Sequence, residues 1–274
     1  TADKPIVFTA NTTSPVSGYW GGVIINGKAP ISGSKTDKSD TALTEINNDY
    51  KYGGSAADDN SGSLTYVKIC YAGARSTADI EHNGLTLNGV GNGTKIENIY
   101  VLESADDAIE FFGGTVNVTN LLAVNPDDDM FDFTQGYCGT LKNCYGVWES
   151  DYTSTEADPR GIEADGNMDG LYPDHLRQSD FKVENMTIVN NAANTADNVD
   201  RMQDVIKIRR GAKATITNAL VKGTGGAIDL VDMKDSKGAG NIESSIHITN
   251  TLSLTGLKQN GELNTFVESA DNTG

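Results

Sequence analysis

The chain has 274 residues and a formal charge of −17, from 21 basic and 38 acidic side chains. This acidity disfavours nucleic acid and anionic membrane surfaces as partners, and it favours cations. No apolar run reaches the ~20 residues of a membrane span, so we expect no direct membrane insertion. One continuous repeat favours a single elongated domain over residues 1–274.

Residues 1–80 are the least regular part of the chain. Strands are predicted at residues 5–8, 22–25 and 63–69, as parts of the first coils of a wound structure. The intervening residues 32–59 are rich in Ser, Thr, Asp and Asn, which predicts a loop excursion from the coil.

From residue 81 to residue 254 the chain repeats a short unit. Six asparagines recur in one apolar frame, at separations of 22, 23, 42, 33 and 32 residues. They are Asn98, Asn120, Asn143, Asn185, Asn218 and Asn250. Asparagine tolerates the left-handed backbone of a sharp bend, and its amide can bond to the equivalent amide one coil away. We therefore expect an asparagine ladder that holds the fold.

A second repeated column alternates apolar, polar and apolar residues, which is the period of a strand with one buried face. Its members are residues 84–87, 108–111, 130–133, 161–164, 205–208 and 227–230. No helical stripe is long enough for a crossover helix. The sequence thus predicts an all-β fold, a single-stranded right-handed parallel β-helix with loop insertions. Because open solenoid ends expose unpaired rungs, assembly with neighbouring subunits or domains is also expected.

Five segments resemble a widespread family of secreted bacterial right-handed parallel β-helix proteins with a pectin-lyase-like fold. They are residues 18–31 (GYWGGVIINGKAPI), 52–54 (YGG), 64–73 (LTYVKICYAG), 83–91 (NGLTLNGVG) and 106–115 (DDAIEFFGGT). The resemblance covers about residues 1–150 and implies an extracellular or outer-surface location in a bacterium. Members of that family mostly have no assigned activity, so the resemblance implies little about chemistry.

Acidic residues cluster at the ends of two consecutive coils, directly before the strand that follows each end. The cluster comprises Asp106, Asp107, Asp127, Asp128 and Asp129. The outward column of the strands is predicted to carry Glu110, Asp132, Glu163, Lys207 and Asp229. Parallel rungs lie about 4.8 Å apart, so the stacked like charges are destabilising unless something offsets them.

Three interpretations of the acidic cluster stay open. The five aspartates could bind Ca²⁺, because carboxylates from two rungs can supply several hard oxygen ligands. An acidic pair could instead serve a polysaccharide lyase or glycoside hydrolase, with Asp106, Asp107, Asp128 and Asp129 acting beside Lys207 or Arg209. The third interpretation is a solvated acidic edge. Residues 206–210 (IKIRR) faintly resemble a strand of pectin-degrading β-helix hydrolases, but the Gly-His-Gly turn of those enzymes is missing.

A ligand surface is predicted near the insertions, where solenoids place binding residues. Its candidates are Trp148, Glu149, Asp151, Tyr152 and Tyr172. The alternative for Trp148 is that it closes a gap between loop and coil. Whether Cys138 and Cys144 form a disulfide is also left open by the sequence.

These patterns favour a non-catalytic secreted or cell-surface scaffold, stabilised by Ca²⁺, that binds a polysaccharide or a surface protein. The alternative is a polysaccharide lyase or glycoside hydrolase that uses the acidic cluster.

Overall fold

The computed structural model of the chain describes residues 1–33, 40–77, 80–192, 202–234 and 243–253, together with the backbone of three short strands beyond them. Two sheets of parallel strands run the length of this structure, and each coil of the chain contributes one strand to each sheet. The predicted parallel β-helix is therefore confirmed. Within the described residues, no helix is long and apolar enough to cross a membrane.

The first sheet holds the longer strands. In sheet order these are β1 (Ile6–Phe8), β5 (Ser63–Cys70), β7 (Lys95–Leu102), β9 (Asn117–Val124), β11 (Thr140–Trp148), β13 (Asp180–Asn190), β15 (Lys213–Lys222) and β17 (Ser245–Thr249), with β18 (Leu252–Ser253) also paired to β15.

The second sheet holds shorter strands and carries the candidate site. In sheet order these are β2 (Val23–Asn26), β6 (Leu85–Asn88), β8 (Ile109–Phe112), β10 (Phe131–Thr134), β12 (Ile162–Asp165), β14 (Asp204–Arg209), β16 (Asp229–Asp232) and β21 (Val267–Glu268). Two hairpins lie outside the sheets, β3 (Ala42–Leu43) with β4 (Lys51–Tyr52), and β19 (Lys258–Gln259) with β20 (Glu262–Leu263).

The asparagine ladder forms as predicted at the bend of the longer strands. All six asparagines have a positive φ between 51° and 60°. From Asn120 to Asn218, each amide nitrogen donates to the side-chain oxygen of the preceding ladder asparagine at 2.8–3.1 Å. In β5 the same corner is occupied by Tyr66, with φ 56°. The repeat in the sequence does not reveal this member because tyrosine replaces asparagine.

The interior is filled by inward side chains from both sheets, which include a stack of aromatic rings. The Phe133 ring lies 5.1 Å from that of Phe111 and 4.1 Å from that of Phe181, centroid to centroid. Tyr137 packs on the same stack, and its hydroxyl donates to the carbonyl of Val116 at 2.7 Å. Aromatic stacking adds to the free energy of burial, so these residues stabilise the packing of the central coils.

Two loop segments cover the outer face of the second sheet. One is the β3–β4 hairpin, and the other is the insertion at residues 166–178, which contains a single 3-10 turn (Met168–Gly170). A buried bond joins them, because His175 Nε2 lies 2.9 Å from the Asp40 carboxylate. His175 Nδ1 lies 3.0 Å from the backbone nitrogen and 3.1 Å from the carbonyl oxygen of Arg177. Because a carboxylate accepts hydrogen bonds, Nε2 donates the bond to Asp40.

One predicted register is wrong. Lys207 does not pair with Asp229 in the next coil but with Asp232, and Asp229 pairs with Asp204. The reason is that Val231 is the buried apolar residue beside Ile206, while Leu230 is partly exposed.

None of the three cysteines forms a disulfide, so the open question of a Cys138–Cys144 bond is answered against it. Cys144 is buried in β11 between Leu121 and Met186 of the flanking strands. Cys138 is half-buried in the preceding turn, where its thiol contacts the carbonyl oxygens of Gly136 and Gln178.

Candidate functional site: an acidic cleft

The outer face of the second sheet carries a column of carboxylates. The pairing register places Asp132 directly between Glu110 and Glu163 on adjacent rungs. Flanking residues Phe131 and Phe133 are fully buried, which turns Asp132 outward. The predicted alignment of these three acids is confirmed, and they form the floor of a cleft of about 200 Å³.

The cleft is almost wholly acidic. Eleven of its fifteen lining residues are Asp or Glu, and one of the fifteen, Arg209, is basic. The acids are Glu45, Glu81, Asp106, Asp107, Glu110, Asp128, Asp129, Asp132, Glu163, Asp165 and Asp169. Glu45 comes from the β3–β4 loop and Asp169 from the 166–178 insertion, so both covering segments contribute a wall. Such a surplus of negative charge must be offset by protons or by bound cations.

Arginines neutralise one end of the cleft. Glu163 forms ion pairs with Arg160 and Arg209, while Asp165 forms them with Arg209, at 2.6 Å, and Arg210. Burial acts to raise the pKa of Glu163, but the two guanidinium groups outweigh it and lower this pKa below its ordinary value. Glu163 is therefore ionised, whereas burial raises the pKa of Asp165 above its ordinary value despite its two arginine partners.

The other end has no comparable set of basic partners among the described residues. Burial, followed by repulsion from neighbouring carboxylates, raises the pKa well above its ordinary value for each of five acids there. These are Asp106, Asp107, Glu110, Asp129 and Asp132. The same causes raise the pKa of Asp128 to about 7. These groups hold protons in the metal-free protein at pH values where free carboxyl groups are ionised.

Several carboxylate oxygens at this end have no hydrogen-bond partner. Asp107 accepts the backbone N–H of Asp129 at 2.9 Å, and Glu110 accepts from the amide of Asn83. By contrast, one oxygen each of Asp128, Asp129 and Asp132 is closed off from solvent without a donor. Asp129 is only 2 % exposed. A buried carboxylate oxygen without a donor is costly, so these three atoms are suited to a positively charged partner.

Three groups of carboxylates lie close enough to share an ion. Within each group, one oxygen per residue lies within 4.8 Å of the others. The groups are Asp106, Asp107 and Asp128, then Asp107, Glu110 and Asp132, and then Asp129, Asp132 and Glu163. Ca²⁺ is bound by several oxygen ligands at 2.3–2.6 Å in flexible geometry, and the donor set and its spacing fit this ion. The chain would hold it with Asp107 and Asp132 as shared ligands.

The structure brings together four of the five aspartates predicted as metal ligands. The fifth, Asp127, does not line the cleft. Its carboxylate accepts hydrogen bonds from Thr155 and, at 3.1 Å, from the Tyr152 hydroxyl, and it thereby holds the loop that follows β11. Consecutive aspartates point to different sides of the chain, which a sequence cluster does not reveal.

The five residues of the predicted ligand surface do not share one exposed face in the structure. Trp148 is 1 % exposed, and its indole N–H donates to the Pro126 carbonyl at 2.8 Å, so it is a core residue. Tyr152 packs against it and is bonded to Asp127. Glu149 and Asp151 are exposed. Tyr172 is half-buried in the 166–178 insertion.

The two basic residues considered for catalysis are both engaged in ion pairs. Lys207 is buried on the outward column, where it pairs with Asp232. Arg209 does line the cleft, but it is held between Glu163 and Asp165. Sequence reasoning missed Glu45, Glu81 and Asp169, since they lie on irregular loops that carry no repeat period.

Comparison with protein families matches residues 1–273 to the pectate-lyase-like β-helix domain. The chain belongs to this family. No curated protein and no solved structure matches the chain significantly. Membership in the pectate-lyase-like β-helix family agrees with the coiled architecture, and it leaves the chemistry of the cleft to be argued from its residues.

Proposed function

We propose that this member of the pectate-lyase-like β-helix family is a non-catalytic scaffold whose acidic cleft binds Ca²⁺. The observation that carries the proposal is the set of buried carboxylate oxygens of Asp128, Asp129 and Asp132 that have no donor, in a cleft lined by eleven acids. A divalent cation would satisfy these atoms and offset the repulsion between rungs. Binding of the ion to the folded chain alone would stabilise the fold.

The donor set favours Ca²⁺ over other divalent ions. The lining residues include no His or Cys, which are the ligands that Zn²⁺ prefers. Mg²⁺ demands octahedral geometry and keeps several waters, whereas Ca²⁺ accepts six to eight oxygens in irregular arrangements. Closely stacked carboxylates on a sheet provide oxygens at positions set by the rungs, which suits the more tolerant ion.

A non-catalytic role is supported by the basic residues of the site. Proton abstraction from a sugar would need a basic side chain that is open to the substrate. Lys207 is buried against Asp232, and Arg209 is paired with two acids. We further propose that the protein is secreted or displayed on a bacterial cell surface, where a Ca²⁺ site of moderate affinity is filled.

Thermal unfolding tests the cation site directly. At a Ca²⁺ concentration of about 100 times Kd, binding adds about 2.7 kcal/mol to the free energy of unfolding. At roughly 2–4 °C per kcal/mol, the midpoint should rise by about 5–10 °C relative to protein in chelator. An equal concentration of Mg²⁺ should give a clearly smaller shift. If chelator and Ca²⁺ give the same midpoint, the cleft does not bind the ion.

A second candidate function is a polysaccharide lyase or glycoside hydrolase, and the close approach of carboxylates from adjacent rungs of the cleft favours it. The test is release of unsaturated products or reducing ends from uronic-acid and neutral polysaccharides in the presence of Ca²⁺. Activity that disappears in Asp107→Asn and Asp129→Asn variants would make the protein an enzyme. Absence of product with intact Ca²⁺ binding supports the scaffold.

A further inference from the structure

An apolar face lies on the first sheet, away from the acidic cleft. Beyond the asparagine bend, β7, β9 and β11 turn Tyr100, Leu122 and Tyr145 outward in register. A second outward column of Leu102, Val124 and Val147 runs beside it on the same three strands. We call these six side chains the tyrosine face.

The tyrosine face is unusual for so acidic a chain. Leu122 is 37 % exposed and Tyr145 is 38 % exposed, and the other four members are partly exposed. An outward face of a solvated sheet is normally polar. Cross-strand packing explains some of the side-chain choice, but it does not explain why apolar surface is left open to solvent on consecutive rungs.

Polar groups border the tyrosine face on both sides. On one side is the exposed asparagine ladder, in which each amide nitrogen donates one of its two hydrogens to the preceding rung. On the other side, Glu103 directly follows β7, and Glu149 is held by Asn125, whose amide donates to it at 3.0 Å. At one end of the column, Lys68 Nζ lies over the Tyr100 ring, 5.3 Å from its centre.

The area of the tyrosine face is too small for a stable protein interface. An aromatic side chain has about 150–250 Å² of surface, so Tyr145 exposes on the order of 80 Å². Six side chains of that size or less expose under about 500 Å², whereas a standard interface buries about 800 Å² per partner. Ring stacking on a narrow stripe requires much less area.

We propose that the tyrosine face binds an extended neutral glycan. Aromatic and aliphatic side chains pack against the apolar faces of sugar rings, and the bordering amides and carboxylates are hydrogen-bonding partners for hydroxyl groups. A net charge of −17 and the neighbouring Glu103 and Glu149 disfavour anionic chains such as polyuronates. Rungs about 4.8 Å apart present side chains at intervals comparable to the length of a pyranose ring.

Affinity electrophoresis and calorimetry with soluble xylan, β-glucan and polygalacturonate test the proposal. The wild-type chain should bind at least one neutral glycan and not polygalacturonate. A double substitution, Tyr100→Ala with Tyr145→Ala, should weaken binding about tenfold or more, from the loss of two stacked rings. The corresponding Phe double variant keeps the rings and should bind within about threefold of wild type.

Matched controls separate this face from the cleft. Tyr50→Ala, at an exposed tyrosine on the β3–β4 loop, should leave glycan binding unchanged. Chelator should also leave it unchanged, because the proposal does not depend on the cation site. No binding to either neutral glycan, or equal binding by the Ala double variant with an unaltered thermal midpoint, would overturn the proposal. Preferential binding of polygalacturonate, or self-association through this face in sedimentation experiments, would overturn it as well.

Discussion

Replacement of Asp132 by Asn should have opposite effects on the metal-free protein and on its response to Ca²⁺. Asp132 belongs to two of the three carboxylate groups, so its charge faces acids on both neighbouring rungs. Asparagine has nearly the same shape, carries no charge, and can donate to the neighbouring carboxylates. In the metal-free protein the substitution therefore removes repulsion without opening a cavity.

The magnitude follows from the spacing of the oxygens. Two ionised carboxylates 4.8 Å apart repel by about 3.5 kcal/mol at an effective dielectric constant of about 20. Bound protons already relieve part of this repulsion, since burial and the neighbouring acids raise the pKa of Asp132. We expect Asp132→Asn to stabilise the metal-free protein by about 1–3 kcal/mol, which is roughly 2–12 °C in midpoint.

The assay is thermal unfolding of wild type and variant at pH 7.5, each in chelator and in excess Ca²⁺. The variant should melt higher than wild type in chelator and should lose most of the gain from Ca²⁺. Asp180→Asn, at an exposed position of β13, is the matched control and should change neither value by more than about 0.5 kcal/mol. A variant that is less stable in chelator would refute the reasoning, because its carboxylate would then be making a net favourable interaction.

Three further predictions concern pH, the ladder and the loops. The cleft carboxyl groups of the folded chain keep protons that the unfolded chain has lost, so the stability of the metal-free protein should fall as pH rises from about 5 towards 8, through the pKa of about 7 of Asp128. Ca²⁺ affinity should rise over the same range, and calorimetry in two buffers should show proton release on binding. A stability that does not change with pH would contradict this prediction. Asn143→Ala should lower the free energy of unfolding by about 2–4 kcal/mol in denaturant, since it breaks two ladder bonds and places alanine at φ 55°. Asn143→Gly should lower it by less, because glycine adopts that φ freely. Equal decreases for the two variants would argue against backbone strain. His175→Ala should weaken Ca²⁺ binding severalfold by releasing the bond to Asp40 that joins the two walls, and unchanged affinity in calorimetry would show that the walls do not position the ligands.

Much of the fold is readable from the sequence because both repeated columns have a local physical cause. The asparagines mark backbone bends with positive φ, and the alternation around Glu110, Asp132 and Glu163 marks a half-buried strand. Where either cause is absent, prediction fails. Tyr66 occupies a ladder corner although it is not an asparagine. The alternation predicts that Asp229 lies beside Lys207, but the burial of Val231 shifts the pairing by three residues, so that Asp232 lies there.

The site is less predictable because it depends on the directions of side chains and on loops. Asp127 and Asp128 are adjacent in sequence, yet one carboxylate binds the loop after β11 and the other lines the cleft. Glu45 and Asp169 reach the cleft from segments more than 100 residues apart. Trp148 is of a residue type that commonly stacks on sugar rings, but only the structure shows that it is buried.

The most direct test of the account is a crystal structure of the protein grown with Ca²⁺, with anomalous differences measured for the ion or for a lanthanide replacing it. The account predicts anomalous density between Asp107, Glu110 and Asp132, with carboxylate oxygens at about 2.3–2.6 Å from Ca²⁺. A cleft without density at a saturating ion concentration, or ions bound only at other acidic surfaces, would contradict it.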